Sequence, residues 1–240
     1  LTADKKPDRR RILYGRRRGR RLRPGQRELV ETLLPRLELD PLAGDVFDPG
    51  SAFGSGAEDI WLEIGFGGGE HLAWQAAANP RTGIIGCEPF MNGVVKLLSR
   101  IRDGDLQNVR LYRDDARLLV ERVSENSLGR AFILFPDPWP KARHHKRRIV
   151  SDEVLGHLAR ALKDDAELRI ATDDPGYLEW ILWHLRGHPA FAWQVSSRAD
   201  WRNRPEDWPA TRYQEKAIMA GRDCAFLTYR RRRRGESRPR

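Results

Sequence analysis

Asp137 is the residue around which chemistry can be built. It stands in Phe135-Pro136-Asp137-Pro138-Trp139-Pro140-Lys141, a carboxylate fenced by three prolines. A dense cationic run, Arg143-His144-His145-Lys146-Arg147-Arg148, follows after Ala142. The apolar stretch 131–135 before it reads as a buried strand that the prolines stop. One acid, one large aromatic and a positive field thus meet at a strand end, where open α/β sheets hold their ligands. The plainer alternative is a stiff loop beside a solvated basic face, since prolines and charges are common in loops.

A second constellation begins at Glu63-Ile64-Gly65-Phe66-Gly67-Gly68-Gly69-Glu70. Glycines here let the chain turn sharply and let a ligand approach backbone N–H groups. A dinucleotide fingerprint would place its third glycine at position 70. Glu70 stands there instead, and a carboxylate at a helix N-terminus repels a pyrophosphate. A nicotinamide dehydrogenase is therefore disfavoured. Glu63 suits a cationic amino-acid group. Glu88, in Gly86-Cys87-Glu88-Pro89, can accept both hydroxyls of a ribose. Asp115, in Asp114-Asp115-Ala116, can accept the exocyclic amine of adenine. Three acids at three successive strand ends fit an adenosine ligand with a positive charge, S-adenosylmethionine. Helix capping is the alternative role for Asp114 and Asp115.

These residues need a scaffold that aligns strand ends. Strand-like runs occur at 60–64, 82–87, 109–112, 131–135 and 167–171, alternating with helical patterns at 70–79, 90–101, 115–123, 151–163 and 174–185. Ser151 can cap one helix, and Asp174-Pro175 supplies an N-cap and first-turn pair for another. Two further strands are predicted at 191–196 and 225–229, with a long polar, tryptophan-containing segment at 197–221 between them. This alternation predicts an α/β, Rossmann-like fold: a mostly parallel seven-stranded sheet, helices on both faces, and an antiparallel last strand. Residues 41–59, rich in Gly, Pro, Ser and Ala, read as a linker or loose loop.

The charge is unevenly spread. Of the net +10, residues 1–30 carry +9 and residues 230–240 carry +6, leaving −5 for the rest. A basic, flexible N-terminal arm (1–27), a single domain (28–230) and an Arg-rich tail (231–240) are predicted. Arginine-rich ends suit phosphate, because the guanidinium grips it bidentately; a solubilising role is the alternative. Their deletion is expected to weaken RNA binding and to leave donor affinity nearly unchanged. No apolar stretch is long enough to span a bilayer, and no secretory h-region opens the sequence. Two distant cysteines, Cys87 and Cys224, point to a reducing cytoplasm without a disulfide framework.

With both constellations in view, the chain resembles the bacterial tRNA (guanine-N7)-methyltransferase family from about Arg16 to Tyr229. The resemblance is carried by Glu63-Ile-Gly-Phe-Gly-x-Gly, by the Pro-Asp-Pro-Trp-Pro-Lys segment with its basic run, by Ala171-Thr172-Asp173, and by Thr211-Arg212-Tyr213. It implies a class I methyltransferase fold, S-adenosylmethionine as donor and the variable-loop guanine of tRNA as acceptor. It also implies that Glu63, Gly65, Gly67, Glu88, Asp115 and Asp137 contact the donor. Lys141, Asp173 and the segment Thr211, Arg212, Tyr213, Gln214 would contact the substrate. One position departs: the family usually has Glu where this chain has Gln214. A carboxylate can accept two hydrogen bonds from the donor edge of guanine, whereas Gln214 offers one acceptor. Glu215 could substitute after a local shift.

Guanine N7 needs no deprotonation, so positioning and electrostatics suffice for catalysis, with Asp137 as the catalytic carboxylate. Trp139 either walls the pocket or packs. Lys141, Arg143, Lys146, Arg147 and Arg148 are expected near phosphates, each with solvation as the alternative. Adjacent His144 and His145 point apart and lack partners at ligand spacing, so no metal is expected. Trp201 and Trp208 suit either RNA contact or cover for a sheet edge. The expected partner is tRNA, with no membrane; a monomer is expected, a dimer being the alternative. The competing functions are methylation of another RNA base or atom, and non-catalytic RNA binding, which would leave the strand-end acids unexplained.

Overall fold

Consecutive residues on the central strands are buried on opposite faces, the pattern of a parallel sheet covered on both sides. The computed structural model describes residues 13–15, 17 and 19–236. Among these, β1 (Asp59–Ile64), β2 (Thr82–Cys87), β3 (Val109–Tyr112), β4 (Leu128–Leu134), β5 (Leu162–Thr172), β6 (Phe191–Trp193) and β7 (Ala225–Arg231) form one seven-stranded sheet. Its order is β3-β2-β1-β4-β5-β7-β6. The first five strands run parallel, and β7 runs antiparallel to β5 and β6. This is the fold class that strand–helix alternation predicts.

Helices α1 (Pro24–Thr32), α2 (Leu34–Leu37), α3 (Glu70–Ala78) and α4 (Met91–Asp103) cover the face bearing Trp61, Ile84 and Phe132. Helices α5 (Ala116–Arg122), α6 (Asp152–Ala161) and α7 (Pro175–Arg186) cover the face bearing Leu62, Ile85 and Ile133. Each such fully buried side chain contributes about 1.5–3 kcal/mol, so the sheet centre rather than the loops holds the strand ends in place. Ser151 caps α6 and Asp174 caps α7, as expected.

The structure differs from the sequence reading at strand ends. β4 begins at Leu128 and β5 at Leu162, where a bulged pairing of Leu128 with Leu162 carries the ladder past polar residues. β6 stops at Trp193. The segment 197–221 contains α8 (Ala199–Arg202) and α9 (Arg212–Met219). Residues 41–59 are anchored rather than loose: Phe47 N–H donates to the Arg122 carbonyl, and Ser124 N–H to the Phe47 carbonyl, both at 2.8 Å.

The predicted basic ends lie partly outside the described residues, at 1–12, 16, 18 and 237–240. The described parts contact the body. Gly19 N–H donates to Asn92 Oδ1, and Asn92 Nδ2 donates to the Arg20 carbonyl, both at 2.8 Å. α1 then starts at Pro24, inside the predicted arm. At the other end, Arg230 and Arg233 pair with Asp165 and Arg234 pairs with Asp164, tying the described tail to the start of β5.

Candidate active site

The parallel strands bring their carboxyl ends to one edge, and the order reverses between β1 and β4. Ligands of open α/β sheets sit at that switch point. A cavity of about 620 Å³ lies there, lined among others by Gly65, Gly67, Glu88, Asp115, Asp137 and Tyr213. Its size falls within the roughly 300–1,000 Å³ of small-molecule sites.

Glu88 and Asp115 are the two buried acids of the lining. Glu88 Oε2 accepts the Gly67 N–H and its Oε1 the Phe90 N–H, each at 2.9 Å. One side chain thereby fixes the glycine turn and the approach to α4, and unused lone pairs remain for a ligand. Burial lifts the Glu88 carboxyl above its ordinary range; the Phe90 and Gly67 donors pull it back, and Asp137 adds to the rise. Burial also pushes the neighbouring Cys87 thiol up, with Glu88 and Asp115 adding to it. The thiolate is the nucleophilic form, so Cys87 is a packing residue.

Asp115 performs the capping role and also lines the cavity. Its Oδ1 accepts the Arg117 N–H at 3.0 Å, and both oxygens face the Arg117 guanidinium. Asp114 lies beside it and pairs with Arg17 at 3.0 Å.

The proline-fenced segment is bent by two unusual residues. Phe135 (φ +50°) and Trp139 (φ +45°) both occupy the left-handed region. Bulky residues rarely do so, at a cost of roughly 1–3 kcal/mol each, and such strain gathers at functional sites. The double bend holds Asp137 and Trp139 in the cavity wall, with Asp137 exposed to it. Arg147 also lines the cavity, its guanidinium 4.5 Å from the centre of the Tyr14 ring and 4.9 Å from that of Trp139. Arg148 departs from the expected phosphate role. It is buried, donates to the Pro138 carbonyl at 2.9 Å and lies over Tyr177 and Trp180, so it braces the segment from behind. Lys141, Arg143 and Lys146 are exposed.

The other expected site residues divide. Tyr213 lines the cavity, and Thr211 caps α9 by accepting the Gln214 N–H at 3.3 Å. Arg212 donates to the Tyr213 hydroxyl at 3.1 Å and approaches Glu70. Gln214 instead joins Arg202, Arg204 and Arg222 around a separate hollow, and Asp173 pairs with Arg222 at 2.8 Å. Glu63 is not in the cavity lining. It shares the sheet face of Trp61 and is only 3% exposed, with its Oε2 2.7 Å from His71 Nδ1.

Two features escaped the sequence reading. The Glu63–His71 pair could have been anticipated, because eight residues spanning a strand end, a tight turn and a first helical turn bring two side chains together. The contribution of Leu13, Tyr14 and Gly15 to the cavity had no local signal, since it depends on a non-local contact with the Trp139 segment. Among the described residues, no group of three or more His, Cys, Asp or Glu side chains could hold a metal ion.

The lining has the chemistry of a nucleoside cation site. Glu88, Asp114, Asp115 and Asp137 outnumber Arg117 and Arg147. Gly65 and Gly67 have positive φ and no side chain, so a ligand can approach the turn closely, while their own N–H groups are held by the Cys87 carbonyl and by Glu88. S-adenosylmethionine fits these properties.

Comparison with known proteins agrees. The family described as "Putative methyltransferase" matches residues 57–227. A tRNA (guanine-N(7)-)-methyltransferase of Rhodospirillum rubrum is 49% identical over 92% of this chain and 88% of its own length. That of Azorhizobium caulinodans is 45% identical over 96% and 100%. Among solved structures, the 16S rRNA methyltransferase KamB aligns with a TM-score of 0.55 at 17% identity, over 76% of this chain and 92% of that one. An rRNA methylase from Streptococcus thermophilus aligns at 0.51 and 15%, over 73% and 88%. At such identities the likeness is one of fold. By its sequence relatives, the chain belongs to the tRNA (guanine-N(7)-)-methyltransferase family.

Proposed function

We propose that the chain transfers a methyl group from S-adenosylmethionine to N7 of the variable-loop guanine of tRNA, and does so as a monomer in the cytoplasm. The observation that carries the site assignment is the convergence of Asp137 with Glu88 and Asp115 on one cavity at the sheet's switch point. Gly65, Gly67, Glu88 and Asp115 hold the donor. When bound, S-adenosylmethionine supplies a methyl carbon that the N7 lone pair takes, while the electrons of the broken C–S bond stay on sulfur.

Asp137 acts electrostatically. N7 carries no proton, so the chain need supply no general base. The base gains positive charge as the new bond forms, so a carboxylate at the cavity wall stabilises the transition state more than the ground state. The flanking prolines and the two left-handed residues hold Asp137 in place before the substrate arrives, which avoids reorganisation at the moment of transfer. Tyr213 and Arg212, above the glycine turn, contact the substrate together with Thr211, Gln214 and Asp173. Lys141, Arg143 and Lys146 face solvent beside the site and meet tRNA phosphates.

The deciding measurement is methyl transfer to unmodified tRNA, followed by chemical cleavage at 7-methylguanosine. Labelled tRNA cleaved in the variable loop is expected. Absence of label rejects the activity, and label at another base rejects the acceptor. A thermal shift with S-adenosylhomocysteine separately tests the donor site.

A further inference from the structure

We infer that the arginine-lined hollow beside α9 takes a nucleotide of the tRNA that flanks the reacting guanine, its phosphate on Arg202, Arg204 and Arg222 and its base on Ile218 and Phe226. The inference rests on the proposed tRNA substrate. The hollow has a volume of about 430 Å³, and its charge is opposite to that of the donor cavity. Three arginines and one acid, Asp223, line it, whereas four acids and two arginines line the donor cavity. Arg222 pairs with Asp173. Arg202 and Arg204 form no ion pair among the described residues, yet both are held in place. Arg202 lies over the Trp201 ring at 4.1 Å and reaches the Cys224 carbonyl at 3.4 Å, while its Nε has no hydrogen-bond partner. Arg204 donates to the Trp208 carbonyl. Guanidinium groups positioned in advance, with donors left over, suit a phosphate.

The local structure explains the convergence. α8 ends at Arg202, and Arg204 follows in the next turn. α9 is closed by Gly221 (φ +66°), and the Arg222 N–H then donates to the Ala217 carbonyl at 2.9 Å, a left-handed helix ending that brings Arg222 to the rim. The chain next enters β7 at Ala225, which faces Thr172 at the end of β5, so the hollow opens at the same sheet edge as the donor cavity. The Phe226 ring stands edge-on to Phe135 with centroids 6.3 Å apart, and Phe135 lines the donor cavity. These two rings form a wall between the sites. A guanine whose N7 meets the methyl group lies on the donor side of that wall, which leaves the hollow to a neighbouring nucleotide. Ile218 is 62% exposed above the buried Phe226. Free phosphate would use the arginines alone; the apolar surface beside them suits the face of a base splayed out of its stack.

Three variants test the inference in the full chain, with unmodified tRNA as the probe. The double variant Arg202→Gln, Arg204→Gln keeps side-chain length and removes charge. Its tRNA affinity, by filter binding, is expected to fall roughly tenfold, and the slope of log Kd against log salt to become shallower by about 0.7–0.9, the share of one phosphate. Ile218→Ser is expected to weaken tRNA binding about three- to tenfold with the slope unchanged, because an apolar contact releases no counterions. Affinity for S-adenosylhomocysteine should stay within about twofold of the parent in both. An unchanged slope in the double variant overturns the phosphate site, and unchanged affinity in Ile218→Ser overturns the base contact. Loss of S-adenosylhomocysteine binding alongside marks general loosening and overturns both. A benzophenone amino acid in place of Ile218 reads the position: crosslinking next to the variable-loop guanine is expected, and crosslinking only elsewhere in the tRNA overturns the flanking assignment. If the parent binds tRNA but methylates none, the functional proposal fails while the binding and salt readouts still decide the hollow. If the parent methylates and every variant binds as the parent does, the hollow alone fails.

Discussion

Tyr213 rests directly on Gly67: a Cβ placed on Gly67 would lie 2.9 Å from the Tyr213 ring. Gly67 also has φ +57°, so a side chain there meets both strain and a neighbour. Gly67→Ala is expected to cost about 1–2 kcal/mol in backbone strain alone and to displace Tyr213, weakening S-adenosylhomocysteine binding roughly tenfold or more. Calorimetry checks this. Retained affinity would mean that the turn does not hold the donor.

Asp137 has no ion-pair partner among the described residues and faces the cavity. On the proposed electrostatic role, Asp137→Asn should resemble Asp137→Ala: charge, not shape, is lost. Both are expected to lower kcat about 100-fold or more, the scale of removing one preorganised transition-state contact. Affinity for tRNA should change by no more than about twofold, because the exposed cations are intact. Single-turnover methylation and filter binding separate the two. Equal loss of turnover and tRNA affinity contradicts the assignment.

Glu88 gives the donor site a pH dependence whose sign follows from its environment. Burial, partly offset by the Phe90 and Gly67 donors, raises its folded pKa above the unfolded value. Protonation is therefore favoured by the empty fold. That contribution to stability is present at low pH and is lost as pH rises through the raised pKa. In the proposed donor site, ribose recognition by Glu88 runs the other way, because only the ionised carboxylate offers both oxygens as acceptors. S-adenosylhomocysteine affinity should fall on acidification, beginning above the ordinary carboxylate range, and Glu88→Ala should flatten the profile. A dependence that survives this substitution assigns the titration elsewhere.

The scaffold was legible because it obeys local rules. Runs such as Ile84-Ile85 and Phe132-Ile133 mark strands buried on both faces, and Ser151 and Asp174 announce their helices. Strand starts at Leu128 and Leu162 were not legible, because partner pairing rather than composition decides them. In the site, Glu88, Asp115, Asp137 and Tyr213 follow from strand-end placement and the family motif. Glu63 and Arg148 carry the right charge for a ligand but turn into the core, to His71 and to Tyr177 and Trp180. Sequence spacing places a residue at a strand end; side-chain orientation there depends on tertiary neighbours.

The N-terminal segment was expected to act on RNA alone, yet Tyr14 reaches the donor cavity. Its ring lies 4.5 Å from the Arg147 guanidinium, which also faces Trp139. Cation–π contacts contribute about 0.5–1 kcal/mol when exposed and about 2 when desolvated. Tyr14→Ala in the full chain removes this contact and part of the cavity wall while leaving every basic residue of the arm in place. S-adenosylhomocysteine affinity is expected to fall about three- to thirtyfold. The salt dependence of tRNA binding should stay as it is, since its slope counts phosphate contacts rather than aromatic ones. Calorimetry and a salt titration on the same variant read both quantities. Unaltered donor affinity with a shallower salt slope would return the segment to a purely RNA-binding role.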